Sequence, residues 1–165
     1  MRFSATLAVL LVSLLSAARA SAVEPSARVV LVRPASPAPW TDEMLTRAAG
    51  ELRAAGFVPV MADAAPGEAP RATFKRVDAS AVAVISVDPN DAEVWVEDRL
   101  TGKISIRPTR VASASPRAAS DVAIEAVELL RASLIELTVR SRDAFASKPP
   151  PAAVAFAEAA LPTSP

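Results

Sequence analysis

The chain has 165 residues, 52% of them hydrophobic in type, with 18 basic and 18 acidic residues and a formal charge of zero. It has no cysteine and no histidine, which excludes a disulfide framework, thiol catalysis and a Ser–His–Asp triad, and leaves only carboxylates for metals. Balanced charge and a few scattered aromatics (Phe57, Phe74, Trp95) argue against an electrostatic nucleic-acid surface.

The first 20 residues have the pattern of a secretory signal peptide. Arg2 gives the basic start, Ala5 to Ala17 the apolar core, and Ala18-Arg19-Ala20 the small residues before a cut at Ser21. That run is too short and too diluted by Ala and Ser for a stable membrane span. The expectation is a periplasmic or secreted protein cleaved near Ala20/Ser21, with no transmembrane segment in the mature chain; a retained anchor is the alternative. Cleavage removes Arg2 and Arg19 and leaves 145 residues with a formal charge of −2, enough for one core.

Residues 21–28 read as a flexible lead. Val29-Val30-Leu31-Val32 is a continuous apolar run, the pattern of a strand buried on both faces. Prolines at 34, 37 and 39 end it. Thr41 is placed to cap a helix, Asp42 and Glu43 complement the dipole in the first turn, and Trp40 and Leu45 are spaced as a hydrophobic staple. Leu45, Ala48, Ala49, Leu52 and Ala55 recur at helical spacing, with Gly56 as the C-terminal cap. Phe57-Val58-Pro59-Val60 predicts a short strand that Pro59, lacking an N–H, makes either marginal or an edge strand. A short helix from Arg71 to about Asp78 and a central strand over Ala81 to Val87 follow. Strand–helix–strand–helix–strand predicts a parallel sheet with right-handed crossovers.

Past Asp88-Pro89-Asn90-Asp91 the period changes to two, and residues 92–107 predict a β-hairpin turning at 98–102. Pairing Glu97 with Lys103 sets Trp95 opposite Ser105, Glu93 opposite Arg107, Val96 opposite Ile104 and Val94 opposite Ile106. This register collects opposite charges on one face and aliphatics on the other. After a loop at 108–119, Ser120 is placed to cap a long helix running to about Val139 or Arg140. Its stripe is Ala123, Val127, Leu130, Leu134 and Leu137, widened by Ala126 and Ile124. Burying these side chains is worth on the order of 10 kcal/mol before entropy is counted. Residues 141–165, with Lys148-Pro149-Pro150-Pro151 and a brief Ala-rich helix around Ala152 to Leu161, read as a Pro/Ala-rich tail. The predicted architecture is an α/β domain over 29–140 in two or three layers. It has a mixed five-stranded sheet, two N-terminal crossover helices, the hairpin and a long C-terminal helix.

No catalytic motif stands out, and no cofactor is predicted. Asp88, Asn90 and Asp91 are weak metal candidates that also suit a turn beside Pro89. Thr101-Gly102-Lys103 lacks the glycine cradle and the following helix of a phosphate loop. A Ser–Lys pair would have to use Lys75, Lys103 or Lys148. Glu93 and Glu97 share a strand face but are neutralised, in the predicted register, by Lys103 and Arg107. What remains is Trp95 within a mixed-charge face of Glu93, Glu97, Lys103 and Arg107. It is either an anchor for a ligand or protein partner on an open sheet face or core beneath a covering helix.

Residues 28–140 resemble the α/β N-terminal domain of TolB-type periplasmic proteins and exported proteins of high-GC bacteria. The resemblance is carried by the order of elements and by the segments Ala92-Glu93-Val94-Trp95-Val96-Glu97-Asp98-Arg99-Leu100-Thr101-Gly102-Lys103 and Ala126-Val127-Glu128-Leu129-Leu130-Arg131-Ala132-Ser133-Leu134. It implies a non-enzymatic module of the cell envelope, sometimes joined to a further C-terminal domain. These 165 residues have no room for the propeller of a complete TolB-type protein. The functional expectation is an exported envelope module mediating protein–protein interaction. The alternatives are a divergent hydrolase or transferase using carboxylate and serine chemistry, or the N-terminal remnant of a larger envelope protein.

Overall fold

The elements in chain order are β1 (Arg28–Arg33), α1 (Thr41–Ala54), β2 (Val58–Asp63), α2 (Pro70–Arg76), β3 (Ala83–Asp88), β4 (Glu93–Asp98), β5 (Lys103–Pro108), α3 (Pro116–Leu134), α4 (Glu136–Val139) and α5 (Pro151–Glu158). The structure, a computed structural model, describes residues 27–88, 93–109, 116–139 and 148–161. The expected signal peptide, its cleavage site and residues 21–26 of the lead lie outside the described residues.

The strands form one mixed sheet in the order β2-β1-β3-β4-β5, as the α/β reading expects. β2, β1 and β3 run parallel, and β4 is antiparallel to both of its neighbours. The short apolar runs of β1 and β3 take the inner positions, and β2 with Pro59 sits at an edge. From β1 the chain crosses through α1 to β2 on one side, then through α2 back past β1 to β3. Right-handed crossovers in opposite directions put the two helices on opposite faces.

The larger core lies on the α1 side. Val29, Leu31, Ile85, Val94 and Val96 of the sheet pack there with Leu45 and Leu52 of α1 and Leu130 and Leu134 of α3. All five residues of the predicted α3 stripe are buried, but Ile124 is 53% exposed and adds nothing to it. On the other face a smaller core joins Val30, Val32 and Val84 to Phe74, Val77 and Ala81.

Several helix ends differ from the sequence reading. Thr41 is the first residue of α1, not its cap, and its buried Oγ1 has no hydrogen-bond partner among the described residues. At the other end Gly56, at φ +85°, closes the helix as expected. Its N–H donates to the Arg53 carbonyl and that of Phe57 to the Leu52 carbonyl, the paired bonds of a Schellman ending. α3 begins at Pro116, a residue suited to a first helical turn, so Ser120 lies inside the helix, and a turn at Ile135 separates α3 from α4.

α5 carries the core past residue 140. Ala153, Phe156 and Ala157 are buried, and Phe156 meets Phe57 edge-on at 5.2 Å with the Arg131 guanidinium 4.3 Å from its centroid. Helix α5 thus seals the end of α1 and α3. Phe156→Ala is expected to cost about 3 kcal/mol in urea unfolding. A loss below about 0.5 kcal/mol would place α5 outside the cooperative core.

Candidate functional site

The predicted surface residues all lie on or beside the β4–β5 hairpin, and the hairpin's register decides what they can do together. The hairpin forms, but one residue out of the predicted register. Asp98 pairs with Lys103, Glu97 with Ile104, Val96 with Ser105, Trp95 with Ile106, Val94 with Arg107 and Glu93 with Pro108. The reason is Asp98, which was expected in the turn and is instead the last residue of β4, with no solvent exposure. Its carboxylate accepts from the N–H groups of Leu100 (2.9 Å) and Thr101 (3.2 Å), the Thr101 hydroxyl (2.6 Å) and the Ser133 hydroxyl of α3 (3.0 Å). These bonds close a loop over residues 99–102, with Gly102 at φ +75°.

A one-residue slip sends every β5 side chain to the other face. Lys103 and Arg107 therefore stand on the α3 side, where Lys103 pairs with Glu136 and Arg107 lies 3.8 Å from Glu125. Glu93, Trp95 and Glu97 face the α2 side, joined there by Ile104 and Ile106. The five predicted surface residues are thus split between two faces of the sheet. The residues that sequence reasoning placed inside, Ile104 and Ile106, are 39% and 42% exposed. The signal that could have located them is the Asp98-x-x-Thr101 pair, whose side chains satisfy a turn's own N–H groups.

Trp95 is half-buried at the rim of the smaller core, and its indole N–H donates to Glu93 Oε2 at 3.1 Å. Glu97 accepts from Arg99 Nε at 3.0 Å, while the Arg99 guanidinium also donates to the carbonyls of Phe74 and Asp78. Arg99 thereby caps the end of α2 and fixes it beside the hairpin. Both carboxylates of the pair considered for acid–base chemistry are engaged in these bonds.

A second clamp ties the last residue of α2, Arg76, to the loop that precedes the helix. Glu68 accepts from Arg76 Nε (3.0 Å) and Nη2 (2.8 Å) and from the Ala65 N–H (2.9 Å), and Arg76 Nη2 also donates to the Asp63 carbonyl at 2.7 Å. The bonds from Arg76, and after them the Ala65 N–H, hold the Glu68 carboxyl at about 2 against an ordinary 4.5. Asp78 is also lowered, by the hydroxyl and N–H of Ser80 first and then by the charges of Arg28 and Arg99.

Of the weak metal candidates, Asp88 ends β3, while Asn90 and Asp91 lie outside the described residues. No cluster of three or more acidic, Cys or His side chains among the described residues is placed to hold a metal ion. No helix among them is long and apolar enough to cross a membrane. No family model and no curated protein matches the chain.

Because the Glu68 pKa is lower in the folded state, its stabilisation is complete above the unfolded value and fades as pH falls from about 4.5 toward about 2. The gap in urea midpoint between the wild type and Glu68→Gln is expected to be widest above about pH 5 and to close toward about pH 2. A gap independent of pH would contradict the Arg76 clamp.

Proposed function

We propose that this chain is an exported, non-enzymatic interaction module of the cell envelope, which takes an extended segment of a protein partner along β5. The resemblance of residues 28–140 to TolB-type N-terminal domains and the leader pattern of residues 1–20 support the envelope setting. The observation that carries the binding mode is an edge strand with two different sides. Among the described residues β5 has a single sheet neighbour, β4. Its Ile104 and Ile106 are exposed beside Trp95, and its Lys103 and Arg107 point to the opposite face with side chains 46% and 49% exposed.

An added strand would gain backbone hydrogen bonds from the edge and specificity from side chains that alternate between the faces. The chemistry that fits is an alternation of apolar residues, covering Ile104 and Ile106, with acidic residues, facing Lys103 and Arg107. Edges guarded against pairing commonly carry charge, proline or a bulge. Here one face of the edge is isoleucine, and Pro108 stands only at its end.

A labelled peptide alternating Val and Asp tests this by fluorescence anisotropy, against a Val/Lys peptide of the same length. The Val/Asp peptide is expected to bind at least about tenfold more tightly, a difference of about 1.4 kcal/mol. Ile106→Asp should abolish the binding and move the melting temperature by only a few degrees, because the side chain is already partly in water. Equal binding of the two peptides, or unchanged binding to Ile106→Asp, would overturn the proposal.

A further inference from the structure

The other edge of the sheet among the described residues, β2, is guarded along its backbone. The N–H groups of Val58 and Ala64 donate to the Ala27 and Arg33 carbonyls, so the even-numbered residues turn their backbone groups to β1. Pro59, Met61 and Asp63 turn theirs outward. Pro59 has no N–H to offer, and the Asp63 carbonyl already accepts from Arg76 at 2.7 Å. An added strand would gain little here. The side chains of this edge are open: Met61 is 54% exposed. Beside it a groove of about 520 Å³ separates β2 from α1, with Leu45 and Ala49 among its walls.

The charges of the groove are sorted by its geometry. The parallel register sets Met61 beside Leu31 and Asp63 beside Arg33, so Pro59, Met61 and Asp63 share the α1 face. α1 returns the chain from the carboxyl end of β1 to the amino end of β2, antiparallel to both strands. Its first turn lies at the Asp63 end, where Asp42 is paired with Arg33 at 2.6 Å. Its last turn carries Arg53 toward the Pro59 end, and both Arg53 and Asp63 line the groove. The two residues are exposed, and among the described residues neither side chain has a hydrogen bond or an ion pair. The groove thus holds an unpaired cation at one end, an unpaired anion at the other and a methionine between them.

That pattern is its own complement. A two-fold axis perpendicular to the sheet beside Met61 runs two β2 edges antiparallel and keeps both α1 helices on the same face. It sets Met61 against Met61 of the second copy, and Arg53 of each copy against Asp63 of the other. Such a contact uses one patch twice and closes after two copies. Methionine suits the axis because its unbranched thioether adapts to a copy of itself. Side chains make the contact, so the missing N–H of Pro59 costs it nothing.

We propose that this chain forms a two-fold dimer through the α1–β2 groove, with Met61 on the axis and two Arg53–Asp63 pairs between the copies. This interface is separate from the β5 edge and does not depend on the peptide-binding reading. Sedimentation velocity tests it. The wild type is expected to dimerise with a dissociation constant on the order of 10 μM, as suits a contact of one groove and one strand edge. Arg53→Glu and Asp63→Arg, each alone, turn both pairs into like-charge contacts and should raise that constant at least about tenfold. Mixed one to one, the two variants should form a heterodimer of wild-type affinity, because each pair again joins opposite charges. Met61→Asp places like charges on the axis and should abolish the dimer, while the melting temperature moves by only a few degrees. A wild type still monomeric at about 100 μM, single reversals that dimerise like the wild type, or a mixture no more associated than its components would overturn the proposal.

Discussion

The carboxylate of Asp98 is removed from solvent at the point where β4 ends, and it is surrounded by four donors from the hairpin turn and from α3. A carboxylate in such a place is tolerable only when its lone pairs are filled, so the turn must present its N–H groups inward. That requirement makes Asp98 a strand residue paired with Lys103, and it fixes the side of the sheet on which each residue of β5 emerges. The Ser133 hydroxyl joins the same hub to α3, so hairpin register and helix position are set together. Lys103 and Arg107 then meet Glu136 and Glu125, and the two isoleucines are left on the face that, among the described residues, carries only the short α2.

The sheet is lopsided in its covering, and the proposed binding edge follows from that. On one face α1 and α3 pack over β1, β3 and β4, closed off by α5. On the other, α2 is seven residues long and covers little beyond Val30, Val32 and Val84. Two arginines pin this helix at its carboxyl end, Arg76 reaching back to Glu68 before the helix and Arg99 donating to the Phe74 and Asp78 carbonyls. A short helix pinned by polar contacts leaves open ground beside it over β4 and β5, and a gap at the strand ends beneath it.

Elements with a strong local signal were legible in the sequence. The aliphatic runs of β1 and β3 read as inner strands because both faces needed apolar residues, and Pro59 marked β2 as marginal or an edge because it has no N–H to give. Gly56 marked the end of α1 because the ending needs a left-handed residue. The hairpin's existence was legible, but its register was not. Opposite-charge pairing across the strands gave a self-consistent answer that was wrong, since Lys103 and Arg107 find carboxylates on α3 and α4, a tertiary fact that alternation does not encode. The role of α5 was hidden for a similar reason: its Ala-rich sequence has little periodicity, and the Phe57 and Arg131 that hold Phe156 are remote in the chain.

The register that Asp98 imposes decides which side chains share the open face. Cross-strand nuclear Overhauser contacts measure it directly. Backbone contacts linking Trp95 with Ile106 and Glu97 with Ile104 are the predicted result. Contacts linking Trp95 with Ser105 and Glu97 with Lys103 would return the isoleucines to the core and contradict it.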